Sequence, residues 1–276
     1  PAAASCSPWS SASHLPPAMK PAEAAPDGSG GIQAMPPDCL SPPRPSSRFA
    51  YGLRPDLHVC RLDSTTVFLD IEADRYFALT GEPAETFWRL YTAENLDPAG
   101  SGSSHAASQE LADLDLVRHT SGPHAWHRPD LRPPPIGSAY DGSRCQHGAG
   151  HLNRTACLSA FLDCLRLRHW HSFRHAVAKA RRWKALRTSR ENLLYDTIDQ
   201  SRALHRLTPF LFTTHDACLF RSLFLVRYLQ AVGIPADWEF GVRCAPFCAH
   251  CWVEYDGIVL NDHQETVLAY RKILSI

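Results

Sequence analysis

Two proline-rich stretches decide which parts of this chain are able to fold. The first, residues 1–48, is dense in Pro, Ala, Ser and Gly and lacks apolar periodicity, so it cannot bury enough surface to offset the entropy lost on ordering. We expect this segment to be disordered. Because the sequence opens on Pro1, Met19 and Met35 are alternative start positions.

The second stretch, residues 121–152, contains the run Arg132-Pro133-Pro134-Pro135, which interrupts helices and strands alike. It predicts a linker. A segment over 49–120 and a longer one over 153–276 remain, and we expect each of them to fold as a domain.

The shorter segment has the pattern of a small α+β unit. Its β-branched and aromatic residues predict strands over 58–62, 66–71 and 75–79. Apolar residues at helical spacing follow, and they predict helices over 82–91 and 108–117.

The longer segment has helices first and strands second, which predicts a second α+β domain. The dipeptide Asp256-Gly257 predicts a tight hairpin between the last two strands. The predicted helices lie over 156–186 (one or two helices), 192–205 and 217–230, and the predicted strands lie over 237–242, 249–255 and 258–260.

Composition narrows the classes of function. Lys+Arg and Asp+Glu both number 28, so no net basic field attracts nucleic acid or anionic lipid. No apolar run is long enough to span a membrane, and no secretory signal is present. We therefore expect a cytoplasmic protein with neither nucleic acid nor membrane as a partner, and we expect its ten cysteines to be reduced thiols.

Cys218 lies near the start of the helix predicted over 217–230. Asp216 is placed to cap that helix, and the unpaired N–H groups of a first helical turn stabilise a thiolate. This position suits a nucleophile. Taken alone, however, it favours a small buried thiol.

His250 and Asp262 change that balance. A hairpin about Asp256-Gly257 pairs residues whose numbers sum to about 513, which brings His250 close to Asp262. Cys218, His250 and Asp262 then fit the roles of nucleophile, general base and base-orienting group in cysteine-dependent acyl transfer. Backbone N–H groups near Cys218 would stabilise the oxyanion.

A metal site is the competing interpretation of the same stretch. Cys244, Cys248 and Cys251 have the spacing by which radical-SAM enzymes hold an iron–sulfur cluster, and Cys244, Cys248 and His250 offer a set of zinc ligands. Only 25 residues follow Cys251, too few for a barrel. In a strand, Cys251 also points away from the face shared by Cys248 and His250, so we expect no metal.

Five ordered motifs of the C-terminal half resemble the transglutaminase-like leader peptidases of lasso-peptide biosynthesis, the B proteins. The resemblance covers about 155–276 and implies a papain-like cysteine peptidase domain with Cys218, His250 and Asp262 as its catalytic residues. Cys248 and Cys251 beside the histidine depart from the family pattern. The motifs are Ala217-Cys218-Leu219-Phe220-Arg221-Ser222-Leu223, Gly233-Ile234-Pro235-Ala236, Gly241-Val242-Arg243, Ala249-His250-Cys251-Trp252-Val253-Glu254 and Leu260-Asn261-Asp262.

The N-terminal segment resembles the small PqqD-like domain that recognises precursor peptides in such pathways. The resemblance rests on strands followed by helices and on the stretches Phe68-Leu69-Asp70 and Tyr76-Phe77-Ala78-Leu79. It implies a winged-helix-like fold whose edge strand accepts the leader of a precursor peptide as an added strand. The implied leader-binding residues are Arg75, Tyr76, Phe77 and Leu79, with the 108–117 helix closing the groove; a small α+β domain without this role is the alternative.

The combined resemblance implies a protein that binds a ribosomally made precursor peptide and cleaves off its leader through a thioester at Cys218. It implies no cofactor in this chain. Its partner would be an asparagine-synthetase-like macrolactam cyclase, which would supply any ATP dependence. Two alternatives use the same residues: a transglutaminase-like acyltransferase, since an amine resolves a thioester as well as water does, and a non-catalytic peptide-binding maturation factor.

Overall fold

A computed structural model of the chain describes residues 49–92, 111, 115–121, 132–140, 152–170, 172–185, 194–207 and 217–276. The segment 1–48, for which disorder was predicted, lies outside the described residues, and so does the predicted helix cap Asp216. None of the described helices is long and apolar enough to cross a bilayer.

The described residues form a mixed α+β structure. The strands are β1 (Phe49–Leu53), β2 (Leu57–Leu62), β3 (Thr65–Asp70), β4 (Arg75–Thr80), β5 (Val117–Ser121), β6 (Gly137–Ser138), β7 (Asp237–Cys244), β8 (Phe247–Tyr255), β9 (Ile258–Val259) and β10 (Arg271–Ser275). The helices are α1 (Glu82–Thr92), α2 (Arg154–Trp170), α3 (Phe173–Ala185), α4 (Leu194–His205), α5 (Ala217–Ala231) and α6 (Gln264–Leu268).

The predicted elements of the C-terminal half are confirmed, with ends displaced by two residues or fewer. The three N-terminal strands and the helix that follows them are also found. The helix predicted over 108–117 lies mostly outside the described residues, and its predicted end is wrong because Val117 begins β5. Strands β1, β5, β6 and β10 and helix α6 were not predicted.

The described residues fall into two compact units. The larger unit combines residues 55–84 with the described part of 128–276, and the smaller one contains residues 49–54 and the described part of 85–127. This division differs from the predicted boundaries, since β2, β3 and β4 share a unit with the C-terminal helices and sheet. In the smaller unit, β1 pairs antiparallel with β5 from Phe49↔Ser121 to Leu53↔Val117.

A five-stranded sheet with the order β10-β7-β8-β9-β6 is the centre of the larger unit. Its strands are antiparallel except for the parallel pair of β6 with β9. Helix α5 packs against β8, and α2, α3 and α4 each contact α5. The core between these layers is aromatic and aliphatic, and its fully buried members include Phe224, Tyr228, Leu229, Trp238, Phe240 and Val253. Burial of such side chains supplies most of the stabilisation.

The three-stranded sheet β2-β3-β4 joins the same core. Val67, Leu69 and Tyr76 are buried in it, and the Tyr76 ring lies edge-on to Phe247 with 5.8 Å between ring centroids. Strand β2 contacts β10. The sheet therefore packs as part of the larger unit.

Residues 132–140, within the predicted linker, are also part of the larger unit. The Ile136 N–H donates to the Gly257 carbonyl at 2.8 Å and the Ala139 N–H to the Val259 carbonyl at 2.7 Å, which places β6 beside β9. Two of the proline carbonyls accept side-chain hydrogen bonds, Pro133 from Lys272 and Pro135 from Gln264. This part of the proline-rich stretch is therefore an edge of the sheet.

Candidate active site

The hairpin of β8 and β9 has the predicted register. Glu254 pairs with Val259 and Tyr255 with Ile258, and the turn residues Asp256 and Gly257 have φ of 50° and 74°. Such a two-residue turn with positive φ at both positions matches the twist of its strands. At the far end of this hairpin, His250 Nε2 lies 2.8 Å from Asp262 Oδ2.

Asp262 is held on several sides. Its Oδ1 accepts the His263 N–H at 2.8 Å, its Oδ2 lies 3.7 Å from the Arg221 guanidinium, and its carbonyl accepts the Ser138 hydroxyl at 2.6 Å. Burial alone raises the pKa of Asp262, but the hydrogen bond and charge of His250, the His263 N–H and Arg221 outweigh it and hold the pKa below its usual value. Asp262 is therefore a carboxylate at neutral pH.

A carboxylate only accepts hydrogen bonds, so His250 carries its proton on Nε2 when the ring is neutral. Nδ1 is then the nitrogen able to accept a proton. The ring is fixed from two sides, by Trp252 at 5.9 Å and Tyr270 at 5.2 Å between ring centroids. The tautomer and the orientation of the base are both set by its neighbours.

Gly241 makes room for those two neighbours. It lies opposite His250 on β7. A Cβ at this position would lie 2.8 Å and 2.9 Å from atoms of the Trp252 ring and 2.9 Å from the Tyr270 Cβ. The glycine in the Gly241-Val242-Arg243 motif is therefore required by close packing beside the histidine.

Cys218 is the second residue of α5 and is 6% exposed. Its sulfur is held in a disulfide whose partner lies outside the described residues. The expectation of reduced thiols is therefore wrong for Cys218. The remaining described cysteines are not in disulfides: Cys60, Cys157, Cys164, Cys244, Cys248 and Cys251.

Ser222 and Asn261 tie α5 to the strands that carry His250 and Asp262. The buried Ser222 hydroxyl, one helical turn beyond Cys218, donates to the Cys251 carbonyl at 3.1 Å. It accepts the Asn261 amide N–H at 2.9 Å, and the Asn261 amide oxygen accepts the Val253 N–H at 2.9 Å. These buried and fully paired groups fix the helix against the strand beside His250. Both residues belong to motifs of the sequence, but no role was predicted for either.

A small cavity lies beside Arg221. Two buried donors line it, the Tyr140 hydroxyl and Arg221 Nε, and neither has a hydrogen-bond partner among the described residues. Burial raises the pKa of Tyr140 to about 12, so the hydroxyl stays protonated. The cavity is lined by Tyr140, Ser201, Leu204, His205, Arg221, Phe224, Leu225 and Asn261.

The cysteines near His250 are separated from one another. Cys244 is exposed, Cys248 accepts the Tyr270 hydroxyl at 3.4 Å, and Cys251 is buried in the core. Across the described ranges, no group of three or more His, Cys, Asp and Glu side chains is arranged to hold a metal ion.

The predicted leader-binding residues divide between the two faces of β4, an edge strand of its sheet. Tyr76 on one face and Leu79 on the other are both buried. Arg75 is exposed and Phe77 half-buried, with the guanidinium 5.6 Å above the Phe77 ring and Phe77 stacked on Phe68 at 4.9 Å. Of the four side chains, those of Arg75 and Phe77 are therefore the accessible ones.

Buried charges support the Trp252 ring that packs on His250. The indole N–H donates to Glu254 at 2.6 Å, and Lys272 Nζ lies 2.8 Å from Glu254 and 3.6 Å from Glu239. Glu239 also accepts the Ser275 hydroxyl at 2.5 Å, while its Oε1 is buried and has no partner among the described residues. Burial raises the pKa of Glu239 to about 7, although Lys272 and Ser275 act in the opposite direction.

This raised pKa predicts a pH-dependent stability. The folded state binds a proton at Glu239 more tightly than the unfolded chain, so this residue's contribution to the free energy of unfolding falls as the pH rises from 4.5 to about 7. In Glu239→Gln the contribution is absent. We expect the free energy of unfolding of the variant, relative to wild type, to increase between about pH 5 and pH 8 by an amount on the order of 3 kcal/mol, and its melting temperature to rise relative to wild type accordingly. Thermal unfolding followed by circular dichroism at both pH values measures it.

The matched control is Glu265→Gln, at an exposed glutamate of α6. Its melting temperature should track that of wild type at both pH values. If the difference in melting temperature between Glu239→Gln and wild type is the same at both pH values, Glu239 does not titrate between them.

The C-terminal half of the chain is similar to known proteins. Residues 157–275 match the family model described as the transglutaminase-like superfamily. Over 89 residues the chain is 32% identical to the microcin J25-processing protein McjB of Escherichia coli. That segment covers 30% of this chain and 43% of McjB, so the chain spans less than half the length of this relative.

No solved structure shows a significant match. The family match begins within α2 and ends within β10, and it contains Cys218, His250 and Asp262. The chain therefore carries a transglutaminase-like core domain and is a distant homologue of McjB.

Proposed function

We propose that this protein is a cysteine peptidase that binds a ribosomally made precursor peptide and removes its leader during lasso-peptide maturation. The observation that carries the proposal is the 2.8 Å contact of His250 with Asp262 in a transglutaminase-like domain whose helix α5 begins at Ala217, next to Cys218. The name of McjB, a microcin-processing protein, supports a peptide as substrate.

The chemistry follows from the tautomer of His250. Asp262 holds the Nε2 proton, so Nδ1 accepts the Cys218 thiol proton. The thiolate attacks the scissile carbonyl carbon, the C–N bond breaks, and the imidazolium returns the proton to the leaving amine of the core peptide. Water, deprotonated by His250, then hydrolyses the thioester, which frees the leader carboxylate and restores the thiol. N–H groups at the start of α5 would bind the oxyanion.

Ser222 and Asn261 are positioning residues in this proposal. They do not touch the reacting atoms, but their hydrogen bonds set how far α5 lies from the strand of His250. A small misplacement of nucleophile and base costs a large factor in rate. The position of Cys218 relative to His250 therefore depends on these hydrogen bonds, just as the orientation of His250 depends on Asp262.

Leader binding is assigned to the open edge of β4. An added strand takes its affinity from main-chain hydrogen bonds, so Tyr76 and Leu79 contribute backbone groups only, while the side chains of Arg75 and Phe77 face the ligand. Holding the leader raises the local concentration of the scissile bond at Cys218. An asparagine-synthetase-like cyclase remains the proposed partner that closes the macrolactam, and ATP is assigned to it.

The disulfide at Cys218 predicts that activity depends on reduction. A sulfur in a disulfide offers no thiol to His250, so we expect no cleavage and no alkylation of Cys218 before treatment with dithiothreitol, and both afterwards. Iodoacetamide labelling with peptide mapping measures the thiol directly, and exposed Cys244, which is free, serves as the internal control. Equal labelling of Cys218 with and without reductant would contradict the prediction.

Mass spectrometry tests the function itself. The reduced protein is incubated with the microcin J25 precursor and, separately, with any short precursor peptide found to be encoded next to its gene. A free leader plus an intact core supports the peptidase. Loss of ammonia without cleavage identifies an acyltransferase, and binding without any mass change in either peptide identifies a non-catalytic maturation factor.

A further inference from the structure

Helix α2 is apolar on two opposite faces. Ala160, Cys164 and Leu167 are buried in the core. Three leucines on the other side remain exposed: Leu158 at 60%, Leu162 at 43% and Leu165 at 39%. At about 100° per residue, positions i, i+4 and i+7 fall within one narrow stripe, and this stripe lies opposite the buried one. An exposed stripe of this kind is typical of an interaction surface.

Arginines border the leucine stripe. Arg154 and Arg166 are exposed on its two sides, and the Arg166 side chain is 71% exposed, with Asp163 at 3.8 Å. Over residues 154–185, Arg and Lys outnumber Asp and Glu by eight to one, whereas the two classes are equal in the whole chain. The positive charge is therefore concentrated on α2 and α3, where an acidic partner complements it.

We propose that the leucine face of α2, formed by Leu158, Leu162 and Leu165 and bordered by Arg154 and Arg166, binds an acidic amphipathic helix of a partner protein. The leucine spacing is that of helix-in-groove recognition, in which apolar anchors at i, i+4 and i+7 meet matching anchors on the other helix. The arginines on both sides then pair with acidic residues that flank those anchors.

A second copy of this chain is a poor occupant. A two-fold pairing of α2 with itself would place Arg154 and Arg166 of one copy near the same arginines of the other, and like charges brought together in an interface oppose association. The proposal is independent of the peptidase activity, because none of its residues belongs to the candidate active site.

Fluorescence anisotropy on the full chain tests the proposal. The probe is a labelled synthetic helix of about 20 residues with leucine at i, i+4 and i+7 and glutamate at most other positions. We expect saturable binding that weakens at least tenfold in the triple variant Leu158→Gln, Leu162→Gln, Leu165→Gln. Arg154→Gln with Arg166→Gln should weaken it as well and reduce its dependence on salt.

Two controls test whether binding is specific for the leucine face and for an acidic probe. Leu268→Gln removes a leucine that is 52% exposed on α6 and should leave binding unchanged. A probe with lysine in place of glutamate should not bind. Circular dichroism confirms that each variant is folded, which is expected because the replaced side chains are on the surface.

Several results would overturn the proposal. These are absence of binding to the acidic probe, equal binding by wild type and the triple variant, and equal binding of the lysine probe. Leucine-dependent binding to vesicles of phosphatidylglycerol and phosphatidylcholine without probe binding would identify a membrane surface instead. Leucine-dependent dimers in sedimentation velocity would identify a second copy.

Discussion

Replacing Cys218 with alanine is expected to abolish leader release from the precursor. The variant lacks the sulfur that forms the thioester, and loss of a triad nucleophile or base lowers kcat by about 10⁴-fold or more. His250→Ala should cost a similar factor, because the thiol then has no general base. The rate of leader release, measured by liquid chromatography and mass spectrometry on reduced protein, checks both variants.

The variant Asp262→Asn tests the orientation of His250 while it leaves the imidazole that transfers the proton in place. An amide in place of the carboxylate can present an N–H to His250 Nε2, so the ring no longer has to keep its proton on that nitrogen. We expect a large loss of kcat with little change in the melting temperature. Because the three residues act as a unit, Cys218→Ala combined with His250→Ala should be no slower than either alone.

Cys244→Ala is the matched control for the cysteine series, since Cys244 is exposed, free and outside the proposed machinery. It should release the leader at the wild-type rate. If Cys218→Ala also processed the precursor at that rate, the nucleophile assignment would be wrong and the binding-factor alternative would stand.

Gly241→Ala is expected to have the second-largest effect. The new methyl group would lie within 3 Å of the Trp252 ring and of the Tyr270 Cβ, and the second of these contacts cannot be relieved by rotating a side chain. Overpacking of this kind costs about 1–3 kcal/mol. Since both displaced residues flank the His250 ring, leader release should fall as well.

Thermal unfolding and cleavage rates measured on the same sample test this prediction. We expect the melting temperature to fall by about 2–4 °C for each kcal/mol lost. Gly137→Ala is the control, because its new methyl group meets only the flexible tip of Ile258 at 3.3 Å. A Gly241→Ala variant as stable and active as the control would show that the rings around His250 have room to move.

The candidate base and its orienting group were predictable because they depend on one short hairpin. Asp256 and Gly257 adopt positive φ, which suits these residue types, and the turn fixes the register of the strands on both sides. Register then places His250 beside Asp262. Every step of this inference uses neighbours in the sequence.

The accessible side chains of β4 were not predictable in the same way. Arg75, Tyr76, Phe77 and Leu79 give no clean alternation, since aromatic residues occur on both faces. Tyr76 contacts Phe247, which lies far away in the sequence. The burial of Tyr76 therefore depends on a tertiary contact.

The sequence by itself determined the order of helices and strands in the C-terminal half, the hairpin register and the three residues proposed for catalysis. Two features depend on tertiary contacts. Part of the proline-rich stretch joins the sheet, where Ser138 donates a hydrogen bond to Asp262, 124 residues away in the sequence. Ser222 and Asn261 hold α5 against β8. The tertiary structure also places Cys218 in a disulfide. Local elements follow from turn chemistry and apolar periodicity, whereas these contacts form between distant segments and leave no periodic pattern in the sequence.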